Sequence, residues 1–144
     1  MAGTGVVGIM GLSAACSSAT GPCNSERNVL GTWRYSAVEQ APVRATLTGT
    51  LSVTQQSCGT FSGVLNVVEV ATTGGTRQRS GPVNGKFVDG SSLRFDAFLE
   101  ADPRQHLASI AGDSLTGTWV RADPAGTSPS GTFGGHRSAA PGPQ

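Results

Sequence analysis

Charge is scarce in this chain: of its 144 residues only 13% are Asp, Glu, Lys or Arg, and the formal net charge is +1. The basic residues are scattered and form no stripe to neutralise phosphates, so a nucleic-acid partner is not expected. Long apolar runs are missing too, and no segment reaches the roughly 18 to 20 residues that a bilayer-spanning helix needs. Histidine is limited to His106 and His136. No Gly-x-Ser-x-Gly elbow, phosphate-cradling loop or His-Glu-x-x-His is present, and two distant histidines supply no metal-ligand set. The acids Asp96, Glu100 and Asp102 are spaced as a solvated strand end and turn rather than as an acid/base pair. The chain therefore reads as a non-catalytic protein with no metal and no cofactor.

Glycine is what the chain has in excess, 21 residues against a usual share of roughly 7%. In helices each interior glycine costs about 1 kcal/mol relative to alanine, whereas a coiled sheet uses glycine for bulges and tight bends. The glycines are also placed periodically. A glycine stands two residues before a large apolar side chain at Gly31/Trp33, Gly49/Leu51, Gly59/Phe61, Gly63/Leu65, Gly85/Phe87, Gly117/Trp119 and Gly131/Phe133. Residues two apart share one face of a strand, and small beside large on one face fills the tapering interior of a small barrel. Thr and Ser at the intervening positions suit a wetted outer face. That polar outer face also excludes a transmembrane barrel, whose outside must be apolar.

Turn signals divide the chain into eight strand-length pieces, about 31–38, 44–54, 59–71, 76–88, 92–100, 104–111, 114–122 and 130–137. The connections are short, so consecutive strands are expected to be antiparallel neighbours. Closure into an eight-stranded antiparallel up-and-down barrel removes both sheet edges. The predicted fold class is all-β, with at most one helical turn at residues 25–30. Three-residue hairpin loops at Thr73-Gly74-Gly75 and Asp89-Gly90-Ser91 place odd-numbered residues inward on the third, fourth and fifth strands. In that register Phe61 faces Phe87, Leu65 faces Val83 and Glu69 faces Arg79. Phe98 is a misfit on the polar face, and both histidines point outward.

The N-terminus carries a short apolar stretch, Val6 to Leu12, followed by Ser13-Ala14-Ala15-Cys16. Small residues leading into a cysteine resemble the lipobox of bacterial lipoprotein signal peptides, in which the cysteine becomes the lipidated first residue. Leu12 sits one place further from the cysteine than in the usual pattern, and no basic residue precedes the apolar stretch. The expected organisation is a leader over 1–15, a tether over 16–27, a barrel over 28–137 and a disordered tail over 138–144. Lipid on Cys16 leaves Cys23 and Cys58 as a pair for a disulfide, which an oxidising compartment favours over two free thiols. The expected location is the periplasmic face of a bacterial cell envelope, held at the outer membrane through the lipid.

Asn28-Val29-Leu30-Gly31-Thr32-Trp33 resembles the start of the first strand in the calycin superfamily, which includes lipocalins and avidins. The resemblance rests on Gly31, Trp33 and the eight-strand meander. It implies a Trp closing the barrel base, and in lipocalins an Arg from the end of the barrel packs over it. Arg121 and Arg137 are both placed to do so. The region is shorter than a typical lipocalin, no C-terminal helix pattern follows, and avidin-like biotin residues cannot be mapped.

Two functions from different classes follow. In the first, the barrel binds a hydrophobic or amphiphilic small molecule in a cavity lined by Trp33, Tyr35, Phe61, Glu69, Arg79, Phe87 and Trp119. In the second, those aromatics are core, Glu69 and Arg79 form a cross-strand ion pair worth roughly 0.2 to 1 kcal/mol, and the filled barrel serves a structural or protein-binding role. An empty interior favours the first and a filled one the second.

Overall fold

The computed structural model describes residues 28–100, 103–121 and 128–138. It forms strands β1 (Gly31–Ala41), β2 (Ala45–Gln56), β3 (Thr60–Ala71), β4 (Thr76–Phe87), β5 (Ser92–Ala97), β6 (Arg104–Ala111), β7 (Ser114–Arg121) and β8 (Ser130–Arg137). Each strand pairs antiparallel with the next, and β8 returns to β1, so the sheet closes into an eight-stranded barrel. The period-two pattern explains why. On β1, Trp33, Tyr35 and Ala37 are buried while Thr32, Arg34, Ser36 and Val38 are exposed. Closure gives that buried face an interior and leaves no edge to template aggregation. Asn28–Leu30 form no helix, and the rest of the expected helical turn, the leader, the tether with Cys16 and Cys23, and residues 139–144 lie outside the described residues.

The β3–β4 register differs from expectation by two residues: Phe61 pairs with Gly85, Leu65 with Gly81 and Glu69 with Arg77. The cause lies in the turn. In a three-residue hairpin loop the left-handed residue comes third, and here it is Gly74, at φ +94°. The loop is therefore 72–74, closed by Ala71 N–H donating to Gly75 O at 2.9 Å, and not Thr73-Gly74-Gly75. A two-residue shift leaves every side chain on its expected face. The β4–β5 register stands as expected, with Phe87 opposite Leu93 and Val88 N–H donating to Ser92 O at 2.9 Å.

The larger correction concerns β6. Strand β5 ends at Ala97, which pairs with Arg104. The intervening span, 98–103, is even in length, so odd-numbered inward positions on β5 face even-numbered ones on β6. Arg104, His106, Ala108 and Ile110 consequently point inward. His106, expected outside, is 1% exposed. The two-residue turn at Gly112-Asp113 returns β7 to odd-numbered inward positions, Leu115 and Trp119. His136 on β8 does lie outward, and Phe98 is exposed beyond the end of β5.

One end of the barrel is shut. Trp33 is fully buried there, donates from Nε1 to Val29 O at 2.9 Å, and carries the Arg137 guanidinium 4.4 Å above its ring. Of the two arginines considered for that position, Arg137 fills it. Its Nε donates to Asp113 at 2.9 Å, and its terminal nitrogens donate to the carbonyls of Asn28 and Leu30.

Candidate functional site

The expected lining residues are distributed along the barrel rather than gathered round one cavity. Trp33 belongs to the shut base, and Phe61 and Phe87 lie near that end, 5.7 Å apart between ring centres. Phe61 covers Gly85, where any Cβ would run into its ring. Tyr35 sits in the middle, while Glu69, Arg79 and Trp119 lie toward the opposite end. The aromatics are core: Trp33, Tyr35, Phe61 and Trp119 are buried and Phe87 is half-buried.

Rings fill the middle of the barrel. Phe95 stacks on His106 at 4.2 Å, His106 meets Phe133 edge-on at 4.9 Å, and Phe133 stacks on Tyr35 at 5.7 Å. His106 is bonded at both ring nitrogens. Its Nδ1 lies 2.9 Å from the Arg104 carbonyl, which can only accept, so Nδ1 carries the proton. Nε2 is then the acceptor for the Tyr35 hydroxyl at 2.8 Å. Burial pushes the His106 pKa down to about 3 and raises that of Tyr35, so the pair is neutral. Clefts of several hundred Å³ run over the outer wall instead; one of about 550 Å³ crosses β6, β7 and β8 beside Leu107, Thr118, Val120 and Thr132.

Above this ring layer that end holds a charge cluster. Arg79 Nε stands 3.1 Å from Glu69, although strand register places Arg77 directly opposite, and Arg79 Nη1 is 2.6 Å from Glu100. Arg104 Nη2 reaches Glu69 at 3.2 Å and Glu100 at 3.0 Å, and Arg121 also pairs with Glu100. Glu39 faces the same cluster, its pKa raised first by burial and opposed by the field of Arg104. Glu100, expected to be solvated, is a central member.

Arg104 is the least ordinary residue of the site. It is 3% exposed, with its guanidinium 4.8 Å from the centre of the Trp119 ring. Arg104 Nε and Nη1 and Trp119 Nε1 are buried and meet no acceptor among the described residues. Sequence reasoning missed Arg104 and His106 because β6 has apolar residues on both faces, Ala108 and Ile110 on one and Leu107 and Ala111 on the other. The even length of the 98–103 span is the signal that could have found them.

Cys58 lies exposed in the β2–β3 turn. Among the described residues no cluster of His, Cys, Asp and Glu could hold a metal ion, and no helix is long and apolar enough to cross a membrane.

No family model and no curated protein matches the chain. Solved structures that resemble it are barrels. EF1p2_mFAP2b bound to DFHBI superimposes with a TM-score of 0.62 at 14% identity, over 76% of this chain and 93% of that one. The redesigned β-barrel mFAP1 bound to DFHBI gives 0.53 at 18% identity, over 72% and 92%. The redesigned barrel b11L5F_LGL gives 0.55 at 16% identity, over 76% and 91%. At such identities the likeness establishes the fold alone.

Proposed function

We propose that the protein is an exported, lipid-anchored barrel of the bacterial cell envelope that binds a small molecule at its charged end. The observation that carries this reading is the buried Arg104–Trp119 pair, of which Arg104 Nε and Nη1 and Trp119 Nε1 have no acceptor among the described residues. Buried donors are ordinarily paired, so such a set suits a ligand that brings acceptors. The barrels mFAP1 and EF1p2_mFAP2b, which share the architecture, hold the small dye DFHBI. The site is confined to the half above Tyr35 and His106, because rings occupy the rest. Binding rather than catalysis is favoured because both nitrogens of His106 are engaged inside the core. The anchor belongs to this reading through the Ser13-Ala14-Ala15-Cys16 pattern. So does a Cys23–Cys58 bridge, supported by the disulfide-bonded state of Cys58.

Native mass spectrometry of protein extracted from its own membrane fraction tests the proposal. The expected result is a chain beginning at an acylated Cys16 with a small molecule retained, and loss of that molecule in Arg104→Met. A chain with no retained molecule removes the binding function, and one beginning at Met1 removes the anchor. The second reading, a structural or protein-binding barrel, is favoured by the ring-filled interior and by exposed Leu107 and Val120 along the outer cleft.

A further inference from the structure

We infer that a second copy of this chain docks on the outer wall of β6, β7 and β8, with Leu107 and Val120 of each barrel seated in the groove of the other. The inference is independent of the ligand proposed above, because the groove lies on the outside of the barrel.

A ridge runs beside a groove on this wall. Leu107 is 56% exposed, more than any other large apolar side chain in a described strand, and Val120 is 41% exposed. Leu107 pairs with Thr118, and Gln105 with Val120, so Leu107 and Val120 are diagonal neighbours. Thr118 and Ser130 form the next diagonal, with Thr132 and Gln40 beyond it. All six line the outer cleft of about 550 Å³. Strands in such barrels tilt by about 35 to 45°, which turns these diagonals along the barrel axis. The apolar pair is thus a straight ridge, parallel to a groove floored by Thr118 and Ser130.

Ridge and groove are self-complementary. A two-fold axis parallel to the barrel axis, passing between them, sets Leu107 over the partner subunit's Thr118 and Val120 over the partner subunit's Ser130. Such an isologous contact uses one patch twice. It also leaves both shut ends on the same side, so a pair of chains can be held from one surface.

Charge favours a second copy over a charged partner. The outward-facing residues of β6, β7 and β8 include no Asp, Glu, Lys or Arg. Arg94 borders the cleft, but on the far side of Leu107 from the groove. The two-fold therefore places it against neutral threonines and not against another Arg94. Interface centres are depleted of charge, and this patch can meet its own image without repulsion. The convex wall offers only a few hundred Å² per copy, at the weak end of specific contacts, so dissociation is expected at about 10 to 100 µM.

Sedimentation equilibrium of the full chain, made by cell-free synthesis so that no lipid is attached, tests this. A reversible monomer–dimer equilibrium is expected. Leu107→Arg and Thr118→Arg should each weaken it at least about tenfold, and both positions are exposed, so neither change disturbs the core. Val64→Arg, at a 39% exposed position on β3 across the barrel, should leave the dimer intact. A chain that stays monomeric up to about 1 mM overturns the inference. So does a dimer that survives both substitutions on the ridge and groove, or one that Val64→Arg weakens equally. None of these outcomes bears on whether native mass spectrometry finds a retained small molecule.

Discussion

His106 shows how one side chain can make stability depend on pH. An unfolded chain protonates it near the ordinary histidine value of 6.5, whereas the folded protein holds it neutral down to about 3. Between those values the unfolded state binds the extra proton, so the stability contribution is complete above about 6.5 and drains away as pH falls toward 3. Thermal unfolding followed by circular dichroism should give a melting temperature that drops from neutral to acidic pH. His106→Gln should give a lower but flatter profile, and the difference between the two isolates the histidine from the carboxylates. Tyr35→Phe leaves Nε2 of His106 buried without a donor and should cost about 1 to 3 kcal/mol by denaturant unfolding. None of this was legible from residue type, because a lone histidine on a strand with two mixed faces gives no hint of which face is wet.

At the scale of elements, the strands themselves were easily read and their turns less so. Regular alternation on β2, with Leu47, Leu51 and Val53 buried against Thr46, Thr48 and Thr54 exposed, leaves little ambiguity about face. What alternation does not encode is the length parity of a connection, which decides whether the next strand keeps or exchanges its inward set. The glycine pair at the β3–β4 turn illustrates the finer limit, since Gly74 and Gly75 look alike in sequence. Only Gly74 has the left-handed backbone, and a side chain at Gly75 would meet nothing within 4 Å. Gly74→Ala should therefore lose about 1 to 2 kcal/mol in chemical denaturation, while Gly75→Ala should stay within about 0.5 kcal/mol of the parent. Equal losses would mean that the turn is not built on Gly74. The charge cluster was legible only in part. Glu69 and Arg79 were paired correctly, but of their partners Glu100 lies within the 98–103 span that ends β5 early and Arg104 directly follows it.

For the molecule as a whole, closure depends on the two ends of the described chain meeting. Arg137, at the end of β8, stacks on Trp33 of β1 and donates to Asp113 and to the carbonyls of Asn28 and Leu30. One planar fork thus joins the chain before the first strand, the β6–β7 turn and the last strand. Arg137→Ala should lower stability by about 2 kcal/mol or more and shift Trp33 fluorescence toward that of a wetted indole. Lysine should recover little of it, because an ammonium neither stacks nor presents a fork.

That same latch also fixes how the barrel would be held. The chain enters at Asn28 and leaves after Arg137, both at the shut end, whereas Arg104 and the surrounding charges crown the other. Whatever grips the protein by either flank therefore grips it like the stem of a goblet. A tether to any surface would stand the cup upright, its rim turned away from that surface and toward the surrounding fluid.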